Sequence, residues 1–299
     1  MLHSPALAIE LPEPDALARA LAARLPAFGQ VDWVAETGST NADLLARARS
    51  APAGKPWLLG AHLQTAGRGR AGRSWQNRPG AALMMSCAFD VRLPAAALPA
   101  LSPLAGLAAC EALRGLVARD TAPGSANRAV PRDPASPLAG GLAVKWPNDL
   151  QWRGGKLAGL LVESLRAPGD SDAGYTVVIG IGLNLRDADA LSQALERPIA
   201  DWAGIAASPG IGAADLACAL AGGLLDALLK AQREGLDDFV ERFRRVDALA
   251  GKAVDVIDRG RVARHGIARG IDPHGRLLIE TPEGIKPIVV GEISVRQHP

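Results

Sequence analysis

The chain has 299 residues, 48% of them hydrophobic, and its 33 basic and 31 acidic residues give a net charge of +2. That length and hydrophobic content suffice for one large domain and a small one. The near-neutral charge argues against a global field that would favour nucleic acid or a membrane surface. We also find neither an apolar run near the roughly 18 residues of a membrane span nor the pattern of a secretory signal peptide.

The three cysteines, Cys87, Cys110 and Cys218, are far apart and odd in number. This argues against a disulfide framework and predicts buried thiols in a reducing cytoplasm. HExxH, CxxC and GxSxG motifs do not occur, and the five histidines lack metal-ligand spacing. A structural zinc site and a serine hydrolase are therefore disfavoured.

Apolar periodicity predicts the elements of the first part of the chain. Asp15 is expected to cap the first helix, and Thr40 with Asp43 fits a capping box at the start of the second. In chain order the predicted elements are a helix over 14–28, a strand over 31–35, a helix from 39 to about 50, strands over 57–64 and 82–89, and a helix over 102–119.

The stretch 120–141 holds four prolines and little apolar content, which predicts a mobile insertion. After it we predict strands over 142–146, 151–152, 156–164 and 175–185, then helices over about 213–234 and 236–248. From Lys252 onward, short alternating strands with turns at 259–260, 272–275 and 282–284 predict a small β-barrel. The expected fold is a mixed α+β domain over 1–249, with 1–30 as a short helical extension, and a second domain over 250–299.

The most informative stretch is QTAGRGRAGRSW, residues 64–75, which lies between two predicted strands and which we call the Arg/Gly loop. Glycine lets backbone approach a ligand closely, arginine offers a planar fork for phosphate or carboxylate, and tryptophan offers a flat face. This composition is typical of a nucleotide site. Three alternatives stay open: a dinucleotide fingerprint, which requires a helix directly behind it; a solvated basic loop; and an RNA-binding Gly/Arg segment, which is usually longer.

Two further segments carry polar groups at strand ends. Lys145, at the start of KWPND, could neutralise a developing phosphoryl or carboxylate charge, or be a surface lysine before a turn made by Asn148 and Asp149. In GIGLN, residues 180–184, small residues let a group pack against the backbone. Asn184 could then help to hold Mg²⁺ or a phosphate, or simply end the strand. Gly159, in a neighbouring strand, leaves room for a flat ligand.

Together these segments resemble the biotin–protein ligases (biotin–acetyl-CoA-carboxylase ligases) of the monofunctional type. The motifs occur in family order over about residues 31 to 296, and the Arg/Gly loop and KWPND are the most specific. They are Ser39-Thr40-Asn41, Gln64 with Gly67 to Trp75, Lys145 to Asp149, Lys156 to Gly159, Gly180 to Asn184, and Gly291 to Arg296.

The resemblance implies a mixed-sheet catalytic domain shared with lipoate ligases and class II synthetases, plus an SH3-like C-terminal barrel. It implies that biotin and MgATP give biotinyl-5′-AMP, whose acyl group is transferred to a lysine of a biotin carboxyl carrier protein. It assigns catalytic roles to Lys145 and Arg70. It places biotin against Ser39, Thr40, Asn41, Gln64, Arg68, Gly69, Arg70 and Lys145, ATP against Arg70, Arg73, Trp75 and Asn184, and Mg²⁺ against Asn184.

Because the carrier lysine is the nucleophile in such a reaction, the missing hydrolase motifs are expected. About 30 residues precede the first predicted strand, so we expect no winged-helix module, no nucleic-acid partner and no repressor activity. The sequence leaves a homodimer open. Ala71 and Ser74 stand where many relatives carry basic residues, which weakens the local positive field. The rival interpretations are a lipoate or octanoate ligase, which the full loop through Trp75 disfavours, and a nucleic-acid-binding protein.

Overall fold

A computed structural model describes residues 9–50, 54–75, 78–120, 139–166, 174–205, 211–258, 260–289 and 294–297. Nearly all of the insertion predicted over 120–141 lies outside these residues, as does the 291–293 part of the C-terminal motif. Every helix and strand predicted before residue 250 falls within them.

The larger of two sheets in the described part of the chain has seven strands in the order β1-β2-β3-β7-β6-β5-β4. β1 and β2 pair in parallel and the other neighbours are antiparallel, which confirms the mixed sheet of an α+β domain. The strands are β1 (Gln30–Thr37), β2 (Trp57–Gln64), β3 (Ala82–Val91), β4 (Leu142–Lys145), β5 (Asp149–Trp152), β6 (Gly155–Arg166) and β7 (Tyr175–Asn184).

Among the described residues, six α-helices accompany this sheet, and the two longest, α3 and α5, pack together over it. The segment Ala95–Ala118 is apolar enough to cross a membrane by length and composition, but 67% of its most apolar window is buried in the fold. It is therefore a core helix. The helices are α1 (Pro14–Arg24), α2 (Thr40–Ser50), α3 (Leu101–Asp120), α4 (Ala188–Leu195), α5 (Ala213–Glu234) and α6 (Phe239–Arg244).

The helix-start predictions were partly wrong. Glu13 occupies the N-cap of α1, and Asp15 lies in its first turn. At α2 the Ala42 N–H donates to the Ser39 hydroxyl at 3.5 Å. The predicted capping box is absent there because the Asp43 carboxylate accepts from the Thr37 hydroxyl.

The sequence also predicted helix 236–248 too long and missed α4 altogether. α6 has only six residues, because the chain after it pairs with β4 instead of continuing as a helix. The Val144 N–H donates to the Val246 carbonyl at 2.7 Å, and the Ala248 N–H donates to the Val144 carbonyl at 2.9 Å. α4 was missed because its eight residues are too few for an apolar periodicity to be recognised. None of these residues is buried.

The second sheet is antiparallel, with the order β11-β10-β9-β8-β12. Its strands are β8 (Ala253–Asp258), β9 (Arg261–Ile271), β10 (Leu277–Thr281), β11 (Gly284–Ile288) and β12 (Ser294–Gln297). The expected barrel is not closed, because the edge strands β11 and β12 do not pair within the part of the chain described.

One turn of the second sheet touches the first domain closely. Gly275 has φ +72°, and a Cβ there would lie 2.7 Å from the Cα of Ala100, so the position requires glycine. The indole N–H of Trp146, a side chain that is only 1% exposed, donates to the Gly275 carbonyl at 2.9 Å. The second sheet is thereby attached beside Lys145.

Candidate active site

A cavity of about 940 Å³ opens where α2, the Arg/Gly loop, the β4–β5 turn and the central parts of β6 and β7 meet. Of the residues predicted for the site, all except Asn184 line it. They are Ser39, Thr40, Asn41, Gln64, Arg68, Gly69, Arg70, Arg73, Trp75 and Lys145. Segments that are far apart in sequence therefore share one cavity.

The neutral polar end of the cavity, which we call the α2 wall, is built by the first turn of α2 with Gln64. The Gln64 carboxamide oxygen, at the end of β2, accepts the backbone N–H of Thr40 at 2.8 Å. This bond satisfies one of the N–H groups that a helix start leaves without an intrahelical partner. Thr40 and Asn41 are 2% and 4% exposed, so their polar atoms are fixed in place.

The Arg/Gly loop is a compact hairpin. Its backbone is closed by hydrogen bonds from the Gly69 N–H to the Arg73 carbonyl at 2.7 Å and from the Trp75 N–H to the Gly67 carbonyl at 2.9 Å. A short 3₁₀ turn over Arg70–Gly72 forms its tip. The dinucleotide fingerprint is thus wrong here, since the next element after the loop is the strand β3 and not a helix.

Arg70 is held toward the cavity by the KWPND segment. Its guanidinium donates to the Asn148 side-chain oxygen at 3.3 Å, and the Asn148 amide donates in turn to the Leu160 carbonyl at 2.6 Å. Burial lowers the pKa of Arg70, nearby Asp149 opposes that effect, and Arg73 adds to it. Asn148 therefore joins a cation of the loop to the sheet.

Lys145 brings a second positive charge into the same cavity from the end of β4. Burial is the main cause that lowers its pKa, Asp149 opposes it, and the cations Lys156, Arg197 and Arg296 lower it further. Such a concentration of like charge costs free energy in the empty protein and is offset when an anion binds. This side of the cavity is therefore suited to a polyanionic ligand.

The glycines of β6 and β7 accommodate side chains of the protein itself. A Cβ at Gly182 would lie 2.5 Å from the Trp75 ring, one at Gly159 would lie 3.1 Å from it, and one at Gly180 would lie 2.4 Å from the Asn41 side-chain oxygen. The ammonium of Lys156 lies over the Trp75 ring, 5.4 Å from its centroid. The space that we expected to hold a flat ligand at Gly159 is instead occupied by the indole of Trp75.

We expect Gly182→Val to destabilise the fold by about 1–3 kcal/mol, because the new side chain overlaps the Trp75 ring and forces it off the sheet. In a Trp75→Ala background the same substitution should cost much less, which a double-mutant cycle of denaturant melts measures. Gly222→Ala is the control, since a Cβ at Gly222 meets nothing within 4 Å. An equal cost in both backgrounds would contradict the contact.

Asn184 stands apart from the other predicted residues. Its side chain is 4% exposed, and its amide donates to the carbonyls of Lys156 and Ala200, both at 3.1 Å. It ties the end of β7 to β6 and to the chain after α4. Its predicted roles toward nucleotide and metal stay predictions.

Several lining residues had no predicted role. Lys156 was interpreted as part of a plain core strand, although a lysine among apolar strand residues could have indicated a polar site. Its ammonium pairs with the Asp149 carboxylate at 2.7 Å. Arg197 follows the unpredicted helix α4. Ser86, on β3, and Arg296, on β12, are two further polar residues of this kind.

Two models of known protein families match this chain. The model of the Biotin/lipoate A/B protein ligase family matches residues 33–184, and that of the Biotin protein ligase C terminal domain matches residues 250–296. The chain belongs to the biotin/lipoate A/B protein ligase family, which confirms the resemblance found from the motifs.

Two relatives and one solved structure are similar to most of this chain. The chain is 33% identical to the Bifunctional ligase/repressor BirA of Escherichia coli over 297 residues, covering 98% of this chain and 82% of that protein. It is 36% identical to the Biotin–[acetyl-CoA-carboxylase] ligase of Mycobacterium tuberculosis over 265 residues, covering 87% of this chain and 86% of that one. The fold is shared with the Aquifex aeolicus biotin protein ligase solved with biotin and ATP, at TM-score 0.67 and 22% identity, over 90% and 99% of the two chains.

Proposed function

We propose that this chain activates biotin with ATP to form biotinyl-5′-AMP and transfers the biotinyl group to a lysine of a biotin carboxyl carrier protein. The observation that carries the proposal is the convergence of Arg68, Arg70 and Lys145 on one cavity, beside the neutral α2 wall. That wall suits an uncharged polar ring, and the cations suit a carboxylate and a triphosphate.

The first step brings two anions together, since a biotin carboxylate oxygen attacks the α-phosphorus of ATP and pyrophosphate leaves. Each charge-assisted hydrogen bond from Arg68, Arg70 or Lys145 contributes about 1.5–3 kcal/mol. The same groups stabilise the charge that accumulates on the phosphoryl oxygens in the transition state. The residues of this chain therefore act by binding and electrostatics.

The second step needs no nucleophile from this chain. The carrier lysine attacks the acyl carbon of the mixed anhydride, and AMP leaves as a phosphate. Water would destroy the same anhydride, so a site that excludes water is an advantage. Residues of the Arg/Gly loop line the cavity, and we propose that this hairpin shields the anhydride from water.

Magnesium fits this site as the partner of the ATP phosphates and not as an ion caged by the protein. Among the described residues no group of three or more His, Cys, Asp or Glu side chains could hold a metal, and Asp149 is already paired with Lys156. Mg²⁺ is commonly held by one or two protein oxygens together with substrate phosphates. We propose that it enters with ATP.

We further propose that residues 1–249 are the catalytic domain and 250–299 a C-terminal domain. Two separate sheets support this division. The reducing cytoplasm is the proposed location, which the buried, free thiols of Cys87 and Cys110 suit.

Biotin-dependent exchange of labelled pyrophosphate into ATP tests the proposal directly. We expect biotin to stimulate exchange strongly and lipoate or octanoate to do so weakly, because the α2 wall presents hydrogen-bonding groups that those acids cannot use. A streptavidin blot with purified carrier domain then measures transfer. Folded protein that shows no biotin-dependent exchange would contradict the proposal, and preferential use of lipoate would support the rival ligase.

A further inference from the structure

Hydrogen bonds join the residues of the α2 wall to polar side chains of the sheet on which α2 packs. The inner members are almost completely buried: Ser86 is 1% exposed and Thr40 2%. The function proposed above uses Gln64, Thr40 and Asn41 and gives no role to Ser86, on β3, or Glu163, on β6. In order, the series runs Gln64, Thr40, Ser86, Asn41, Glu163, and its first link is the bond from the Thr40 backbone N–H to the Gln64 side-chain oxygen.

The orientation of the Asn41 amide is determined by β6. Its nitrogen donates to the Glu163 carboxylate at 2.8 Å and to the Leu161 carbonyl at 3.3 Å. Carboxylate and carbonyl oxygens only accept, so the nitrogen faces both and the Asn41 oxygen faces Ser86. Gly180 makes room for that oxygen, because a Cβ there would lie 2.4 Å from it.

The direction of the next two bonds follows from this orientation. The Ser86 hydroxyl donates its single proton to the Asn41 oxygen at 2.6 Å. Its own oxygen can therefore only accept in the 2.6 Å contact with the Thr40 hydroxyl. Thr40 must donate into the sheet, away from its longer, 3.2 Å contact with the Gln64 oxygen. The oxygen of the Thr40 hydroxyl can then accept a hydrogen bond from a group in the cavity, which Thr40 lines.

We propose that Ser86 and Glu163 are positioning residues that hold the Thr40 hydroxyl as an acceptor and so select a ring with N–H donors. This inference rests on the proposed function and specifies how the site distinguishes the cyclic urea of biotin from the dithiolane of lipoate. A urea N–H can donate to such an acceptor, whereas a dithiolane has no N–H. Sites built to hydrogen-bond a substrate strongly reject analogues that lack the partner group.

Ser86→Ala and Glu163→Ala test the inference, with biotin affinity measured by calorimetry and the KM values for ATP, biotin and lipoate measured by pyrophosphate exchange. Each variant should weaken biotin binding about tenfold, the effect of losing about 1.4 kcal/mol, with little change in the KM for ATP. The preference for biotin over lipoate should fall by a similar factor. Glu163→Gln should restore affinity and preference, because its amide oxygen can still accept from Asn41.

Thr176→Val is the matched control. It removes another buried hydroxyl of the same sheet, one that donates to Asp90 at 3.2 Å and does not line the cavity. We expect it to lower the melting temperature and leave the biotin affinity unchanged. If Ser86→Ala and Glu163→Ala behave like Thr176→Val while the wild type binds biotin, the inference alone is overturned. If the folded wild type binds no biotin, the proposed function fails first.

Discussion

Lys145→Met should lower the rate of biotin-dependent pyrophosphate exchange by about 10²- to 10³-fold, the usual effect of removing a charge-stabilising donor from an active site. The methionine keeps an unbranched apolar stem of similar length, so packing at the end of β4 is retained. What is lost is the positive charge that, in the proposed reaction, faces two anions. Both the turnover number and the affinity for ATP should fall, because the proposed role of the ammonium is to stabilise phosphoryl oxygens before and during the reaction.

The fold should tolerate this change. Burial lowers the pKa of Lys145, which means that the fold disfavours the charged form, so removal of the charge should leave the melting temperature near that of the wild type. Lys230→Met is the control, because this lysine pairs with Glu234 on the surface of α5. The substitution should change neither the rate of pyrophosphate exchange nor the melting temperature. A Lys145→Met protein that exchanges pyrophosphate normally would remove the lysine from the mechanism.

Arg70→Ala is the second large effect that we expect, a loss of about a hundredfold in adenylation. Its guanidinium is held toward the cavity by Asn148, and neither Arg68 nor Arg73 occupies the same place at the tip of the hairpin. The melting temperature should stay near that of the wild type. Burial lowers the pKa of Arg70 and so disfavours its charge, whereas the nearby Asp149 carboxylate and the bond to Asn148 favour it, and these effects oppose each other.

Activity and stability measured on the same preparations separate function from folding. Arg244→Ala is the matched variant, because Arg244 pairs with Glu241 on the exposed face of α6. It should have wild-type activity. If Arg70→Ala instead loses activity and melting temperature in parallel, Arg70 serves the structure of the hairpin and not the reaction.

The sequence was most informative where the signal is local. Most strands were predicted close to their observed positions, because apolar runs between turn residues define them. The cations of the cavity were found because they stand in a glycine-rich loop and at a strand end, where side chains are free to face a ligand. Lys145 and Arg70 could be predicted in this way.

What the sequence missed depends on tertiary contacts. Helix α6 was predicted too long because nothing local shows that residues 246–248 pair with β4. The glycines of β6 and β7 could be recognised as sites of close approach, but not that Trp75 and Asn41 fill them. Ser86 could have been noticed as a lone hydroxyl in the apolar run of β3; that its partners are Thr40 and Asn41 follows only from the packing of α2 on the sheet.

The hydrogen bond from the Trp146 indole to the Gly275 carbonyl connects the two sheets. Trp146 follows Lys145 directly in the chain, and its indole has its acceptor in a turn more than a hundred residues later. In a chain truncated before that turn, the indole ring of Trp146 would be exposed to solvent and its N–H would lose its hydrogen-bond acceptor. The turn at Gly275 thus supports the residue next to Lys145, and removal of the second sheet should shift the position of that lysine.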